Sequence, residues 1–369
     1  MKGDFANILV VSLQGIGDLL LATPLLRGLK AAYPGSRLTV LTFETNRDVL
    51  NNNPDVGQII VFKAAQKRNI FKILGLIGKI RSEHFDLSIC AYPSGLRSAL
   101  IAYLGGAGER LGQGLSLFRG FGWLFTRQVP IAKIKHAVLM NMDFLKILGI
   151  DPKGVNPEVI FHIGEEDLKF AKDFLRLNGI SDSDLVIAIH AGGGELTASY
   201  RNWPLDRFAK VADVLADRYK AKIIFIGGKN DESAVNFAKK MMSQKAIVAA
   251  GKTFLGQTAA LLTRARLLLC NNSGPMHIAA ALNVRTVSIF GSADPRIHRP
   301  WGKDHVVLQN QLECSPCYYP FFRDTLEETK QKNSWVGKKF ECKTSDYRCL
   351  TSITVDQVVE AVEHIIRGS

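Results

Sequence analysis

The segment Asn7–Asp18, with the sequence NILVVSLQGIGD, decides the fold. It opens with a continuous apolar run over residues 7–13, which predicts a buried strand, and the glycine turn Gly15-Ile16-Gly17 follows. An amphipathic stretch over residues 19–32 then predicts a helix that closes at Tyr33-Pro34-Gly35. A strand, a glycine turn and a helix in this order are typical of a parallel α/β sheet, which binds ligands beyond the carboxyl ends of its strands.

The same alternation continues along the chain and restarts after Asp151-Pro152-Lys153-Gly154. Further strands are predicted at residues 37–43, 58–62, 86–91, 185–190, 222–226, 266–270 and 286–290. Helices are predicted at residues 69–81, 205–219, 277–282 and 354–366. The predicted fold is α/β, with two doubly wound Rossmann-like domains facing each other across a cleft. We expect an N-terminal domain over residues 1–165, a C-terminal domain over residues 166–350 and a final helix over residues 351–369.

The charge of the chain indicates an anionic partner. Its 369 residues carry a formal net charge of +13, and the excess is concentrated between Lys63 and Lys135, where twelve basic residues face three acidic ones. No apolar run reaches the roughly 18 to 20 residues that span a bilayer. The N-terminus runs straight into a strand without a leader, so we expect a cytoplasmic protein.

Asp18 is the candidate catalytic residue of the first half. A carboxylate in the first turn of a helix, at the catalytic edge of the sheet, can point into an interdomain cleft. The alternative is an acid that stabilises the helix dipole by a few tenths to about 1 kcal/mol. Local sequence leaves both interpretations open.

The turns of the second half favour a diphosphate site. Gly192 and Gly193 let backbone amides approach an anion, and Arg201 supplies a positive charge nearby. Asn272, Ser273 and Gly274 begin a helix, whose free N–H groups attract phosphate, and His277 lies in its first turn. Ordinary glycine turns with capping residues are the alternative.

Together these segments resemble the lipopolysaccharide heptosyltransferases of glycosyltransferase family 9, which have a two-domain GT-B fold. The resemblance rests on three blocks, in order between about residues 7 and 365: residues 15–24 (GIGDLLLATP), residues 190–193 (HAGG) with 201–204 (RNWP), and residues 271–282 (NNSGPMHIAAAL) with 289–291 (IFG).

The resemblance implies an inverting enzyme with an ADP-heptose donor on the C-terminal domain and a lipopolysaccharide inner-core acceptor on the N-terminal domain. Asp18 matches the family's general base, and Gly15 and Gly17 form the acceptor-side turn. Arg201 matches a contact to the diphosphate, while Ser273, Gly274 and His277 match the phosphate-binding helix start. Nucleoside contacts fall among residues that follow Gly227-Gly228: Lys229, Asp231 and Glu232.

Two departures from the family pattern bear on the donor. Asn272 stands where an acid is usual, so the donor sugar can differ, and glycines at 192–194 replace hydroxyl-bearing residues of some members. The scheme requires no metal cofactor, because basic groups balance the charge of the leaving nucleotide.

The predicted helix over residues 69–81 combines apolar residues with Lys72, Lys79 and Arg81. It predicts contact with an anionic membrane, at the inner face of the cytoplasmic membrane. The alternative is a core-facing helix with a solvated basic side.

Four late cysteines, Cys314, Cys317, Cys342 and Cys349, have spacings compatible with a structural zinc site, although unligated thiols are an alternative. Other functions also stay open: a sugar-nucleotide epimerase or hydrolase, and a non-catalytic nucleotide-sugar or membrane-binding protein. The basic segment has few aromatic residues suited to base stacking, so no nucleic-acid partner is expected.

Overall fold

The computed structural model describes residues 4–63, 69–113, 121–192, 201–319 and 342–368, and the backbone of residues 335–336 and 339–340. The chain divides into two compact units, the first within residues 1–162 and the second beginning at Ile163. The predicted Gly193 and the basic residues Lys67, Arg68 and Arg119 lie outside the described residues.

The first unit is built on a six-stranded parallel sheet in the order β3-β2-β1-β4-β5-β6. Its strands are β1 (Asn7–Ser12), β2 (Arg37–Phe43), β3 (Gln58–Phe62), β4 (Leu87–Cys90), β5 (Glu109–Gln113) and β6 (Arg127–Val129). Its helices are α1 (Ile16–Leu20), α2 (Thr23–Ala32), α3 (Ile70–Ser82), α4 (Leu96–Leu104) and α5 (Ala137–Ile147), with 3-10 turns at Glu44–Val49, Gly122–Leu124 and Pro152–Gly154.

The second unit repeats this plan, with a parallel sheet in the order β12-β11-β10-β7-β8-β9. Its strands are β7 (Val186–His190), β8 (Lys222–Phe225), β9 (Ala246–Val248), β10 (Leu267–Asn271), β11 (Arg285–Ile289) and β12 (Val306–Leu308). Its helices are α6 (Glu165–Leu177), α7 (Leu205–Tyr219), α8 (Glu232–Met241), α9 (Leu255–Leu262), α10 (Gly274–Ala281), α11 (Pro295–His298), α12 (Arg348–Thr351) and α13 (Val355–Arg367), with a 3-10 turn at Lys229–Asp231. A short antiparallel pair joins β13 (Trp335–Val336) to β14 (Lys339–Phe340).

In both sheets the first strand of the unit lies beside the fourth, so that β1 pairs with β4 and β7 pairs with β10. The strand order reverses at this point, and ligands of doubly wound sheets bind there, beyond the carboxyl ends of the two central strands. The predicted α/β class and the two doubly wound Rossmann-like domains are thus confirmed.

The sheets are buried because their central strands are apolar on both faces. All five residues of β7 are buried, and so are five of the six residues of β1. The final helix α13 begins at the predicted cap, where the Thr354 hydroxyl accepts a hydrogen bond from the Gln357 N–H. Its residues Val358, Val359 and Val362 join the core of the second unit.

The single helix predicted over residues 19–32 is wrong. The structure has two helices there, because the second one begins with Thr23-Pro24 and proline has no N–H to offer the carbonyl of Leu20. The Thr23 hydroxyl donates to that carbonyl instead, at 2.8 Å. The first helix is a short segment, Ile16–Leu20, which begins three residues before the predicted start and contains Asp18.

Candidate active site

The acceptor-side turn of the sequence analysis follows β1 at the point where the strand order reverses. Gly15 precedes α1, and its N–H donates to Oδ2 of Asp18 at 3.1 Å. Gly17 is buried, whereas Asp18 is half-buried. The Asp18 carboxylate therefore caps its own helix, as expected for an acid that stabilises the helix dipole. Part of its surface still reaches solvent.

Two asparagines hold this region in place. Asn46 donates from Nδ2 to the Gln14 carbonyl at 2.7 Å, which fixes the turn from its side. Asn141 of α5 is fully buried, accepts from the Tyr92 N–H at 2.8 Å, and donates to the Leu21 carbonyl at 3.5 Å. Asn141 thus links the loop after β4 to the break between α1 and α2. Sequence analysis missed both residues, although an asparagine inside the apolar run AVLMNM was a usable signal.

In the second unit His190, at the end of β7, connects three turns. Its side chain is 4% exposed, with Nδ1 lying 3.0 Å from the Ser273 hydroxyl and Nε2 lying 3.5 Å from Oδ2 of Asp231. Asp231 in turn accepts from the Gly228 N–H at 2.9 Å. The turns after β7, β8 and β10 are therefore joined through the buried His190 and the half-buried Ser273 and Asp231 at one edge of the sheet.

The electrostatics of Asp231 follow from these contacts. Burial raises the pKa of this carboxyl, but hydrogen bonding and charge from His190, with the Gly228 N–H, outweigh burial and hold the pKa below its ordinary value of 3.8. An ionised Asp231 favours the proton on Nε2 of His190. In a neutral imidazole Nδ1 then accepts from Ser273, whose oxygen keeps its lone pairs for other donors.

The three predicted nucleoside contacts separate in the structure. Asp231 points back to His190, so it supports the turns rather than presenting itself to solvent. Lys229 and Glu232 are exposed, and Glu232 lies beside Gly251, where a Cβ would be 3.0 Å from its Oε2. Of the three, only Lys229 and Glu232 are exposed to solvent.

Asn271, the last residue of β10, organises the turns on either side of it. It is fully buried, and its Oδ1 accepts from the Trp203 N–H at 2.9 Å. Its Nδ2 donates to the carbonyls of Ala191 and Gly192, at 3.1 and 3.3 Å. The side chain thus ties the glycine turn to the segment that carries Arg201. Sequence analysis quoted Asn271 only as part of a motif and gave it no role.

Arg201 is exposed and held against Tyr318. Its guanidinium donates to the Tyr318 hydroxyl at 2.7 Å and lies over the ring, with Cζ 4.8 Å from the centroid. The neighbouring Tyr319 is buried and donates its hydroxyl to Asp294 at 2.8 Å. Burial, followed by the Asp294 charge, raises the pKa of Tyr319 above its ordinary value, so this anchor stays protonated.

Helix α10 starts where the family resemblance places a phosphate. Ser273 is its N-cap residue, but its hydroxyl contacts His190 and makes no cap hydrogen bond to its own helix. Backbone N–H groups at this end are therefore not satisfied by the cap side chain, which is the arrangement that favours an anion. Gly274 and Asn272 are half-buried there, and His277 is 5% exposed in the first turn.

The four late cysteines come from two loops that meet near Gly291. Ser315 donates to the Gly291 carbonyl at 2.8 Å, and the Cys317 N–H donates to the Ser292 carbonyl at 2.9 Å. Leu350, which follows Cys349, packs against Gly291, where a Cβ would lie 2.6 Å from Leu350 Cγ. Burial, and then the thiols of Cys317, Cys342 and Cys314, raise the pKa of Cys349 to about 12. Among the described residues, however, no group of three or more His, Cys, Asp or Glu side chains is arranged to hold a metal ion. The zinc site stays a prediction.

Two Rossmann-like units, each built on a doubly wound parallel sheet, are the architecture of a GT-B glycosyltransferase. The model of glycosyltransferase family 9 (heptosyltransferase) matches residues 73–320, which is more than half of the chain. The chain belongs to this family and is a glycosyltransferase.

Known relatives agree with this assignment. The chain is 29% identical to lipopolysaccharide heptosyltransferase 3 of Escherichia coli strain K12 over 293 residues, covering 77% of this chain and 82% of the relative. Its structure matches a family 9 glycosyltransferase from Veillonella parvula with a TM-score of 0.81 and 28% identity, covering 100% and 99% of the two chains. It shares the fold of E. coli ADP-heptose lps heptosyltransferase II, with a TM-score of 0.73 at 20% identity and 98% of each chain covered.

Proposed function

We propose that the chain transfers a heptose from ADP-heptose to the inner core of lipopolysaccharide, with inversion at the anomeric carbon. Membership of the heptosyltransferase family supports the reaction class. The relatives support the donor and the acceptor, because one is a lipopolysaccharide heptosyltransferase and another is described as an ADP-heptose enzyme.

The observation that carries the proposal is the joined set of turns after β7, β8 and β10. His190, Ser273 and Asp231 connect these turns, and Asn271 fixes the segment leading to Arg201. The donor diphosphate would lie on the N–H groups at the start of α10, with Arg201 balancing the charge of the departing nucleotide. The exposed Lys229 and Glu232 would meet the nucleoside.

Asp18 would act as the general base on the acceptor hydroxyl. A sugar hydroxyl is a poor nucleophile, and a positioned base contributes roughly 10²- to 10⁴-fold to the rate. Asp18 is half-buried at the carboxyl edge of β1, and the Gly15 N–H fixes one of its oxygens. The second oxygen would receive the proton. Basic groups take the place of a divalent ion in this scheme.

The decisive experiment incubates the protein with several nucleotide sugars and with truncated lipopolysaccharide acceptors, read by mass spectrometry. We expect an acceptor that gains one heptose, only with ADP-heptose. Transfer of a different sugar would favour another donor within the family, an outcome that Asn272 makes a specific alternative. Donor binding without product would identify a non-catalytic binding protein, and donor consumption without acceptor would identify an epimerase or hydrolase.

A further inference from the structure

Tyr318 holds the guanidinium of Arg201 from a distant part of the chain, 117 positions further along. The Tyr318 hydroxyl accepts a hydrogen bond from Nη2 of Arg201 at 2.7 Å, and the Tyr318 ring lies under the guanidinium, with its centroid 4.8 Å from Cζ. An arginine stacks on an aromatic face because its guanidinium is planar and charged. The ring contact and the hydrogen bond act in different directions, so together they restrict both the position and the orientation of this group.

Such a restraint matters for Arg201 because its side chain is exposed, whereas Tyr318 is half-buried. A long exposed side chain samples many rotamers and loses this freedom when it binds a ligand, which weakens binding. A guanidinium that is already held in place loses less. The contact with Tyr318 therefore preorganises Arg201 for a ligand.

The backbone of Tyr318 is fixed to the turn that follows β11. Its N–H donates to the Ser292 carbonyl at 2.8 Å, and the residue pairs with Ala293 in an isolated parallel bridge. Gln309, which follows β12, donates from Nε2 to the carbonyls of Gly291 and Ala293 at 3.1 and 3.0 Å. The turn is thus held on both sides, and it fixes the position of Tyr318.

Tyr319, the next residue, anchors the same segment. It is 2% exposed, and its hydroxyl donates to Oδ2 of Asp294 at 2.8 Å. Asp294 is also 2% exposed, and both of its carboxylate oxygens accept from the guanidinium of Arg296 at 2.7 to 3.2 Å. Successive side chains of an extended segment point to opposite sides, so the burial of Tyr319 directs Tyr318 outward, where Arg201 lies.

Arg201 is located from two neighbouring strands. Its own segment is tied to the end of β10, where Asn271 accepts from the Trp203 N–H at 2.9 Å. Its side chain is tied through Tyr318 to the turn after β11, and β10 pairs with β11 in parallel. Because the carboxyl ends of parallel strands meet at one edge of a sheet, both ties lie at the edge where α10 begins.

We propose that Tyr318 is a positioning residue for the donor diphosphate, through the orientation that it imposes on Arg201. This step rests on the proposed function, in which Arg201 balances the charge of the departing nucleotide. A guanidinium binds a phosphate group best when two of its N–H groups point in parallel at two oxygens, so the orientation of its plane determines how strongly it binds. Tyr318 acts through Arg201 and is not a catalytic residue.

The test compares Tyr318→Phe, which keeps the ring and loses the hydroxyl, with Tyr318→Leu, which loses both contacts. We expect the affinity for ADP, measured by calorimetric titration, to fall about threefold in Tyr318→Phe and about tenfold in Tyr318→Leu, the range expected when one long side chain must be ordered on binding. The KM for ADP-heptose should rise by similar factors, while the KM for the acceptor stays unchanged. A merely structural role would instead lower kcat through loss of folded protein and leave both KM values unchanged, which would overturn the proposal.

A double-variant cycle decides whether Tyr318 acts through Arg201. In an Arg201→Ala background, Tyr318→Leu should weaken ADP binding by less than about twofold, because the group that it positions is gone. The same loss in both backgrounds would contradict the proposal. Tighter binding of ADP in Tyr318→Phe would also contradict it, since Tyr318 would then hold Arg201 away from the ligand.

The matched control is Tyr219→Phe. Tyr219 is half-buried like Tyr318 and its hydroxyl contacts Glu363, but it ends α7, at the opposite edge of the sheet. This variant should bind ADP as tightly as the parent, and weakening equal to that of Tyr318→Phe would count against the proposal.

The ADP titrations also separate this proposal from the proposed function. A parent protein that binds ADP but transfers no heptose would contradict the proposed function alone, because the titrations still report on Tyr318. A parent protein that transfers heptose, with unchanged ADP affinity in Tyr318→Leu, would contradict only the role of Tyr318. Failure of the parent protein to bind ADP would overturn both.

Discussion

Gly192 and Asp231 fit together without room for one further carbon atom: a Cβ on Gly192 would lie 2.1 Å from Oδ1 of Asp231. Gly227, with φ of +154°, lies against the same side chain, and its Cβ would be 2.8 Å from Asp231 Cβ. Because neither glycine carries a Cβ, the Asp231 carboxylate has room to reach His190. Sequence analysis assigned Gly192 to the approach of a phosphate, and the structure shows an additional reason for glycine at this position.

Gly192→Ala should therefore displace Asp231 and disturb the joined turns. We expect a loss of roughly 1 to 3 kcal/mol in the free energy of unfolding, as for overpacked sites, together with weaker ADP-heptose binding. Denaturant unfolding and calorimetric titration measure the two effects. Gly192→Ala/Asp231→Ala should be less destabilised than the sum of its single variants, since the clash is gone. Strict additivity would show that the contact is unimportant.

Asn271→Ala should separate the glycine turn from the Arg201 segment. The substitution leaves the Trp203 N–H and the carbonyls of Ala191 and Gly192 without their buried partner. Each group left without a hydrogen bond lowers the free energy of unfolding by at most about 1 to 3 kcal/mol. We expect a less stable second unit and a raised KM for the donor. The adjacent half-buried Asn272 offers a matched control, because Asn272→Ala breaks none of these hydrogen bonds. Similar losses of stability in both variants would contradict the assigned role of Asn271.

The fold was predictable from sequence because its signals are local and repeated. Apolar strands that end in glycine turns specify a parallel sheet, and the helix predicted at residues 205–219 matches α7 (Leu205–Tyr219). Strands β5 and β6 escaped prediction, since the sequences ERLGQ and RQV lie at the end of the sheet and are largely polar. The single helix predicted at residues 19–32 failed because amphipathic periodicity continues through a proline that starts a new helix.

The site was predictable only in part, because its connections join residues far apart in the chain. Sequence placed Ser273 at a helix start, but its contact with His190 spans 83 positions and has no local signature. The same holds for Asn271 with Trp203 and for Arg201 with Tyr318. Residue types at strand ends indicate that a site exists, whereas the roles within it depend on which turns the sheet brings together.

Asp18→Asn tests the proposed base without removing the helix cap. The amide oxygen of asparagine can still accept from the Gly15 N–H, so stability should change by less than about 1 kcal/mol. Turnover should fall roughly 10²- to 10⁴-fold, because an amide cannot take a proton from the acceptor hydroxyl. Donor affinity, measured separately, should be unaffected. A variant that retains more than half of the parent kcat would limit Asp18 to its capping role.

The pH dependence of stability should report on Asp231. Its pKa is lowered in the folded protein, so it contributes stability that is present above the ordinary value of 3.8 and is lost as the pH falls through the lower folded value. Asp231→Asn cannot ionise. The difference in unfolding free energy between the parent and this variant should be constant above about pH 5 and shrink below about pH 4. A difference that stays constant down to pH 3 would show that the carboxylate is not stabilised by His190.

The late cysteines predict one zinc ion per chain, bound by Cys314, Cys317, Cys342 and Cys349. The four thiols do not form a metal-binding group among the described residues, so zinc would have to draw the two loops together into the tetrahedral thiolate coordination that it prefers. Protein purified without chelator should contain zinc by elemental analysis, and Cys314→Ser/Cys317→Ser should lose it as completely as Cys342→Ser/Cys349→Ser. Metal removal should lower the melting temperature of the parent but not of either double variant, because a structural ion contributes to folding free energy. Metal-free parent protein, in which the half-buried Cys314 and Cys342 react with a thiol reagent before unfolding, would show instead that these cysteines are unligated.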